Sequence, residues 1–266
     1  MAKKLPYDGI LVENARLAVS AELKRKRVLK SRSRSSIPRT GKCIWYTATG
    51  EKRLSETRCR EEDIVNGARK KPEIIVFAGP NGSGKSTITG LLRPQSMPYI
   101  NADEIQKALC CTNLEAAQKA EELRESYLAA HRDFCFETVL STDRNLKLLA
   151  RAKESGYFIR CYYVLTADPE INVARVVSRV SDGGHDVPAE KIRSRYDKAL
   201  ALVKELIAVC DVCHIYDNSL SAPYRIFKKR KERCWYCTQR RLWHKGDIAA
   251  LTGIKNAERA ALNQKK

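Results

Sequence analysis

Residues 79–87 have the types and spacing that bind the phosphates of a nucleotide; their sequence is GPNGSGKST. They fit the pattern G-x-x-x-x-G-K-[ST], in which backbone N–H groups and a helix N-terminus face the phosphates. In this pattern Lys85 bridges the β- and γ-phosphates, and Ser86 holds Mg²⁺. We therefore predict ATP or GTP binding with Mg²⁺. The predicted binding residues are Gly79, Pro80, Asn81, Gly82, Ser83, Gly84, Lys85, Ser86 and Thr87.

Two acidic residues follow predicted strands and could take part in phosphoryl transfer. Asp103 comes after the strand at 98–101, and Glu137 lies near the end of the strand at 133–138. The reaction needs a base for the attacking hydroxyl and oxygen ligands for Mg²⁺, and carboxylates suit both tasks. Because a helix is also predicted to begin near Asp103, this residue could instead be a helix N-cap or a first-turn acid.

An arginine-rich segment, residues 174–196, is interrupted by a Gly-Gly pair. Arg175 and Arg179 lie four residues apart on one helical face, and a second predicted helix carries Arg193 and Arg195. Two helices joined by glycines are typical of a lid that brings guanidinium groups to a transferring phosphate. The alternative is a solvated helical hairpin, which we favour for Arg175 and disfavour for Arg179.

The elements that position these residues alternate between strands and helices. Predicted strands span 74–78, 98–101, 133–138, 158–165 and 212–217, and predicted helices span 85–92, 103–109, 114–131, 143–155, 169–180 and 188–208. This alternation predicts an α/β fold with a parallel sheet flanked by helices on both faces. Ligands bind beyond the carboxyl ends of the strands in such sheets.

Both ends of the chain are basic, although the central region is not. Residues 1–72 hold 19 Lys and Arg against 8 acids, and residues 220–266 hold 13 against 3, whereas residues 73–219 hold 18 against 20. Such ends could attract nucleic acid or an acidic partner, or could be solvated tails. The predicted terminal elements are a helix at 9–30, a linker at 30–42, a hairpin at 42–54, a second hairpin at 223–237 and a short helix at 245–252.

The composition favours a cytoplasmic protein without membrane contact. No apolar run reaches membrane-spanning length, and no signal peptide opens the chain. The ten cysteines are then expected to be reduced thiols. The pairs Cys210-x-x-Cys213 and Cys234-x-x-Cys237 have the spacing of a zinc site. The run VCDVCHIYD (209–217) is typical of a core strand, in which residues three apart point to opposite faces, and Trp235 and Tyr236 favour a strand over a tight turn. We therefore expect thiols there rather than zinc.

Four motifs, taken in order, resemble the zeta-toxin family of P-loop kinases: GPNGSGKST, YINADEI, FCFETVLST and SRVSDGGHDVP with IRSRY. The resemblance covers about residues 73–219 and implies a P-loop kinase-like fold. Members of that family use ATP to phosphorylate UDP-N-acetylglucosamine on a sugar hydroxyl, which poisons cell-wall synthesis. They are commonly restrained by an antitoxin that obstructs the nucleotide site.

The resemblance also assigns roles to individual residues. It makes Lys85 and Ser86 the phosphate and Mg²⁺ residues, and Asp103 the catalytic base. It makes Glu137 an acid that faces the substrate, and Arg179 a lid arginine that stabilises the transferring phosphoryl group.

Three positions depart from the family pattern. Asn101 replaces the first acid of a frequent D-x-D motif, Thr138 replaces a glycine, and His185 replaces a second lid arginine. His185 would be largely neutral at pH 7 and a weaker phosphate ligand than arginine. Thr138 and His185 are therefore candidate substrate residues. Their departure from the family pattern affects the choice of sugar nucleotide more than the phosphoryl transfer itself.

Residues 1–70 have no counterpart in the catalytic core of that family. Their predicted helix and hairpin are similar to the small antitoxins encoded beside short zeta-like toxins, which suggests an in-cis inhibitory segment; a helical extension with another purpose is the alternative.

The predicted function is a zeta-type toxin that phosphorylates a UDP-amino sugar with ATP. The alternative is a nucleic-acid-associated NTPase or polynucleotide kinase. The basic tails motivate it, whereas the scarcity of aromatic residues among their basic runs speaks against it. A regulatory ATP-binding module without catalysis would leave Asp103 or Glu137 without a role.

Overall fold

The computed structural model describes residues 71–181, 187–238 and 242–259, together with the backbone of four short strands nearer the N-terminus. Those strands are β1 (Cys43–Tyr46), β2 (Lys52–Ser55), β3 (Ile64–Val65) and β4 (Ala68–Arg69). β1 pairs antiparallel with β2, which confirms the hairpin predicted at 42–54, and β3 pairs antiparallel with β4. The predicted helix at 9–30 and the linker at 30–42 lie outside the described residues.

The other strands form one eight-stranded sheet with the order β12-β11-β10-β9-β8-β5-β7-β6. They are β5 (Glu73–Ala78), β6 (Tyr99–Ile100), β7 (Phe134–Thr138), β8 (Phe158–Leu165), β9 (Val212–Asp217), β10 (Tyr224–Arg230), β11 (Arg233–Tyr236) and β12 (Glu258–Arg259). Neighbours from β9 to β6 are parallel, as predicted, whereas β10 is antiparallel to both β9 and β11. The C-terminal hairpin therefore extends the same sheet.

The helices lie between these strands along the chain. They are α1 (Lys85–Leu92), α2 (Ala102–Leu109), α3 (Asn113–Ala129), α4 (Arg144–Glu154), α5 (Pro169–Ser181), α6 (Ala189–Ala201), α7 (Val203–Val209) and α8 (Lys245–Thr252). The single helix predicted at 188–208 is wrong, because Leu202 leaves the helical conformation (φ −89°, ψ 2°) and separates α6 from α7. Neither Gly nor Pro marks this break in the sequence.

The sheet separates two layers of buried side chains, because alternate residues of a strand point to opposite faces. In β5, Ile74 and Val76 belong to the main core, to which α2, α3, α4, α7 and α8 contribute. Ile75 and Phe77 instead join a smaller cluster with Ile88 of α1. Most helices thus pack on one face, and α1 packs on the other.

Candidate active site

The loop between β5 and α1, residues 79–84, is held by the backbone of two neighbouring strands. The N–H of Gly79 donates a hydrogen bond to the carbonyl oxygen of Thr138 at the end of β7 (3.2 Å). The φ angle of Gly79 is 141°, and a Cβ atom there would lie 1.9 Å from the carbonyl oxygen of Val164 in β8. Because no side chain fits that space, position 79 requires glycine.

The far end of the loop is fixed by the segment that follows β9. The side-chain amide of Asn218 donates to the carbonyl oxygen of Ser83 (2.8 Å). Gly84 has a φ angle of 90°, and a Cβ atom there would lie 2.2 Å from Nδ2 of Asn218. Asn218 is not among the predicted site residues, although its position at the carboxyl end of a parallel strand was a usable signal.

The loop contains groups that suit bound phosphates. Its three glycines have positive φ angles, a conformation in which backbone N–H groups can turn toward an anion. The side-chain oxygens of Asn81 and Ser83 are enclosed and are not available to a phosphate. Ser86 and Thr87 are exposed in the first turn of α1, where a helix N-terminus favours anions. The predicted nucleotide-binding residues therefore fit a polyphosphate.

Lys85, the first residue of α1, is the electrostatic centre of the site. Its Nζ donates to the carbonyl oxygen of Pro80 (2.9 Å). Burial lowers the pKa of Lys85 to about 8; the negative charges of Glu137 and Asp103 oppose this shift, and the positive charge of Arg179 adds to it. The structure thus brings Lys85, Asp103, Glu137 and Arg179 into one site.

Asp103 is the second residue of α2, and its side chain is exposed. Its backbone N–H donates to Oδ1 of Asn101 (2.8 Å), so Asn101 is the residue that caps the helix. Asp103 is therefore not an N-cap, but it is a first-turn acid. Asn101 also donates from Nδ2 to the hydroxyl of Tyr99 (2.8 Å), which links the end of β6 to the start of α2.

Glu137 is half-buried in β7 and is held by a residue of the P-loop helix. The hydroxyl of Thr89 donates to Oε1 of Glu137 (2.6 Å) and lies 3.0 Å from the carbonyl oxygen of Lys85. Burial, and after it the charge of Glu137, raises the pKa of Tyr99 far above its usual range. Neither Thr89 nor Tyr99 is among the predicted site residues, although Thr89 lies four residues after Lys85 and so shares its helical face.

Thr138 contributes mainly to the turn after β7. Its Oγ1 accepts hydrogen bonds from the backbone N–H of Leu140 (3.0 Å) and from Nδ2 of Asn145 (2.8 Å). Its carbonyl oxygen is the group that accepts from Gly79. Thr138 therefore ties the loop after β7 to the phosphate loop.

The arginines of α5 and α6 differ in their surroundings. Arg179 is exposed on α5. Arg193 of α6 makes two hydrogen bonds to Glu170 of α5 (2.6 and 2.9 Å), which join the two helices. Arg175 is half-buried, with Nη1 enclosed and lacking a partner among the described residues, so the solvated position predicted for it is wrong. His185 and the Gly-Gly pair lie outside the described residues.

The cysteine pairs are not assembled into a metal site in the described residues. Cys210 and Cys213 are buried in the main core, whereas Cys234 and Cys237 are half-buried. Within 71–181, 187–238 and 242–259, no three His, Cys, Asp or Glu side chains are grouped in a way that could hold a metal ion.

No helix in this part of the chain is long and apolar enough to cross a bilayer.

The sequence profile of the family described as Zeta toxin matches residues 57–232. The chain belongs to the zeta-toxin family. An uncharacterized protein of Haemophilus influenzae is 31% identical to it over 127 residues, which make up 46% of this chain and 91% of that protein.

A solved structure shares the fold of this zeta-toxin family member. The structure of the AvrRxo1-ORF1:-ORF2 complex with ATP is 12% identical, with a TM-score of 0.51 over 73% of this chain and 66% of that chain. A structure of the PezAT chromosomal toxin–antitoxin system of Streptococcus pneumoniae is 20% identical, with a TM-score of 0.45 over 59% of this chain and 72% of that chain. The predicted P-loop kinase-like α/β fold is confirmed.

Proposed function

We propose that the protein is an ATP-dependent kinase that phosphorylates a hydroxyl group of a small molecule. The observation that carries this proposal is the grouping of Asp103, Glu137 and Arg179 around Lys85 at the N-terminus of α1. Phosphoryl transfer needs a cation on the phosphates, a carboxylate for the attacking hydroxyl and a further cation for the developing charge. Membership of the zeta-toxin family supports the same chemistry.

The phosphate loop and the start of α1 would hold the nucleotide. Residues 79–84 would surround its phosphates, Lys85 would neutralise their charge, and the exposed hydroxyl of Ser86 would bind Mg²⁺. Bound ATP with Mg²⁺ would supply the phosphoryl group. Lys85 would exchange its hydrogen bond with the Pro80 carbonyl for one with a phosphate oxygen.

The charged residues around Lys85 would act on the acceptor. Asp103 would take the proton of the attacking hydroxyl, because its carboxylate is exposed and is not needed to cap α2. Arg179 would stabilise the charge that develops on the transferring group. Glu137, held by Thr89, would orient the acceptor as a hydrogen-bond acceptor.

We infer that the acceptor is a UDP-amino sugar, UDP-N-acetylglucosamine, and that the protein acts as a zeta-type toxin. The sugar hydroxyls are donors that an ionised Glu137 can accept. Thr138 and His185 are the further residues that we assign to substrate recognition. Family membership supports this acceptor.

The test is to incubate the protein with ATP labelled in the γ-phosphate and a panel of nucleotide sugars, beside single-stranded oligonucleotides with a free 5′-hydroxyl. We expect label in UDP-N-acetylglucosamine for the wild type and for Lys147→Ala, which removes an exposed lysine of α4, and none for Lys85→Ala. Label in the oligonucleotides alone would replace this proposal with a polynucleotide kinase. Undiminished transfer by Lys85→Ala would reject the assignment of the P-loop.

A further inference from the structure

The sheet carries a row of aromatic and basic side chains on the face where α1 packs. Residues directly opposed in neighbouring strands share a face. Tyr162 in β8 lies opposite Phe77, His214 lies opposite both Tyr162 and Lys228, and Lys228 lies opposite Trp235. The same registers define the aromatic-basic face, whose members are Arg160, Tyr162, His214, Tyr216, Arg225, Lys228, Arg230, Arg233 and Trp235.

In β8 and β9 the aromatic side chains of this face are more accessible than their neighbours on the opposite face, although Val164 and Val212, which share the face, are buried. Tyr163, Cys213 and Phe227 point to the opposite face, where they are at most 1% exposed in the main core. All members of the aromatic-basic face are half-buried or exposed. Ile88 of α1 covers this side of the sheet near β5 and β8. Large aromatic side chains left accessible on a sheet indicate a binding surface more often than a core.

The rings on this face are stacked on one another or lie beside cations. The ring centroids of Tyr162 and His214 lie 5.3 Å apart and those of His214 and Tyr216 lie 6.3 Å apart, with both pairs stacked. The Trp235 ring centroid lies 5.4 Å from Nζ of Lys228 and 5.1 Å from Cζ of Arg233. Rings of β8 and β9 therefore lie beside cations of β10 and β11.

The charge of this face is positive. Arg160 is paired with Glu73 (2.8 Å) and Arg233 with Glu258 (3.3 Å). Three further cations form no ion pair with the acids of the described residues: Arg225, Lys228 and Arg230. Burial, and then the charges of Arg225, Lys228 and Arg160, lowers the pKa of His214 to about 4, so its ring is neutral at pH 7.

We propose that the aromatic-basic face binds single-stranded nucleic acid. Such a strand offers phosphates to the cations and planar bases to the rings, which is how sheet surfaces and grooves bind single strands. A second copy of the chain that docked through the same face would bring like charge to it, and so would residues 1–72, which hold 19 basic residues against 8 acids. This surface is a binding site in addition to the proposed kinase site.

The test measures fluorescence anisotropy of labelled oligo-U RNA and oligo-dT DNA, each of about 20 nucleotides, a length that can cover more than one binding site. The full chain is compared with Arg225→Ala/Lys228→Ala and with a matched control, Arg144→Ala/Lys147→Ala, whose side chains are 70% and 74% exposed on α4. In about 0.1 M salt we expect the first variant to lose about tenfold in affinity for at least one strand, and the control less than about twofold. The salt slope should fall by about 1.4, since each phosphate contact contributes about 0.7 on single strands.

The aromatic contribution is tested with Trp235→Ala against Trp235→Phe, each checked by thermal unfolding. Loss of one stacked base should weaken binding about fivefold or more for Ala and much less for Phe. Equal losses in the two charge variants would overturn the proposal, because binding would then follow total charge. Poly-glutamate that displaces the oligonucleotide at equal charge concentration would overturn it in favour of an acidic polypeptide. These readouts do not depend on phosphoryl transfer, so the two proposals fail separately.

Discussion

Asn101 caps helix α2 through its side-chain oxygen, and this leaves the nearby carboxylate of Asp103 exposed. A capping carboxylate is stabilised as an anion by backbone N–H groups, and this makes it a weaker base. The carboxylate of Asp103 lies outside the cap of α2.

Replacing Asp103 by Asn should lower turnover by about 10²–10⁴-fold, the usual contribution of general acid–base catalysis. ATP affinity should change little, because residues 79–86 hold the phosphates. Turnover and ATP binding are to be measured separately for this variant and for Glu104→Gln, which changes the neighbouring first-turn acid. Full activity of Asp103→Asn would reduce Asp103 to a helix-stabilising acid, and lost ATP binding would indicate a role in holding Mg²⁺.

The lowered pKa of Lys85 predicts a pH dependence of ATP binding. Phosphate binding favours the protonated amine, whose pKa in the protein without nucleotide is about 8. Affinity should be nearly constant below about pH 7 and should weaken by up to about tenfold per pH unit above pH 8, as the proton is lost. Calorimetric titration across this range should show the slope for the wild type and not for Lys85→Arg, whose guanidinium stays charged. Equal slopes would assign the titration to another group.

At the scale of elements, a glycine is required in the phosphate loop but not in the helix that follows it. Gly84 has a positive φ angle and contacts Asn218, whereas Gly90, within α1, is exposed and has open space around its Cα. The two positions form a matched pair, because the same substitution should have opposite effects on stability.

Gly84→Ala should destabilise the protein by about 1–3 kcal/mol, since a left-handed conformation and a close contact are both imposed on alanine. It should also weaken ATP binding, because Asn218 and the loop must separate. Gly90→Ala should stabilise by about 0.5–1 kcal/mol through helix propensity, with ATP affinity unchanged. Denaturant unfolding and ATP titration of both variants check this; similar losses in both would show that α1, and not the loop contact, is the sensitive element.

Local patterns predicted most of the elements, and long-range contacts account for what they missed. The strand, glycine loop and helix at 74–92 were predictable because adjacent residues determine them, and β8 and β9 span the predicted residues. The contact that holds the phosphate loop in place was not predictable, because Asn218 and Ser83 are 135 positions apart in the chain. The helix break at Leu202 carries no local signal.

At the scale of the whole molecule, the sheet has two unlike sides. Most helices of the described residues pack against one side, and α1 packs against the other. Along the chain, few aromatic residues lie near the basic runs. Pairing across β8, β9, β10 and β11 brings together rings that are far apart in sequence.

If residues 1–70 restrain the kinase, deleting them should raise phosphoryl transfer or toxicity. The reason is electrostatic, because a basic segment is attracted to a site that accommodates phosphates. Transfer is to be measured for the full chain and for a chain that begins at residue 71, with circular dichroism to establish that the shorter chain is folded. Unchanged activity of the folded truncation would remove the regulatory role.

Asn218 lies between the end of β9 and the start of β10, and its amide holds the phosphate loop at Ser83. The hydrogen bond from Asn218 to Ser83 thus connects β9 of the aromatic-basic face directly to the nucleotide loop. A ligand that shifts β9 against β10 would change the free energy of nucleotide binding. By thermodynamic reciprocity, the nucleotide would then change the affinity of that ligand by the same factor.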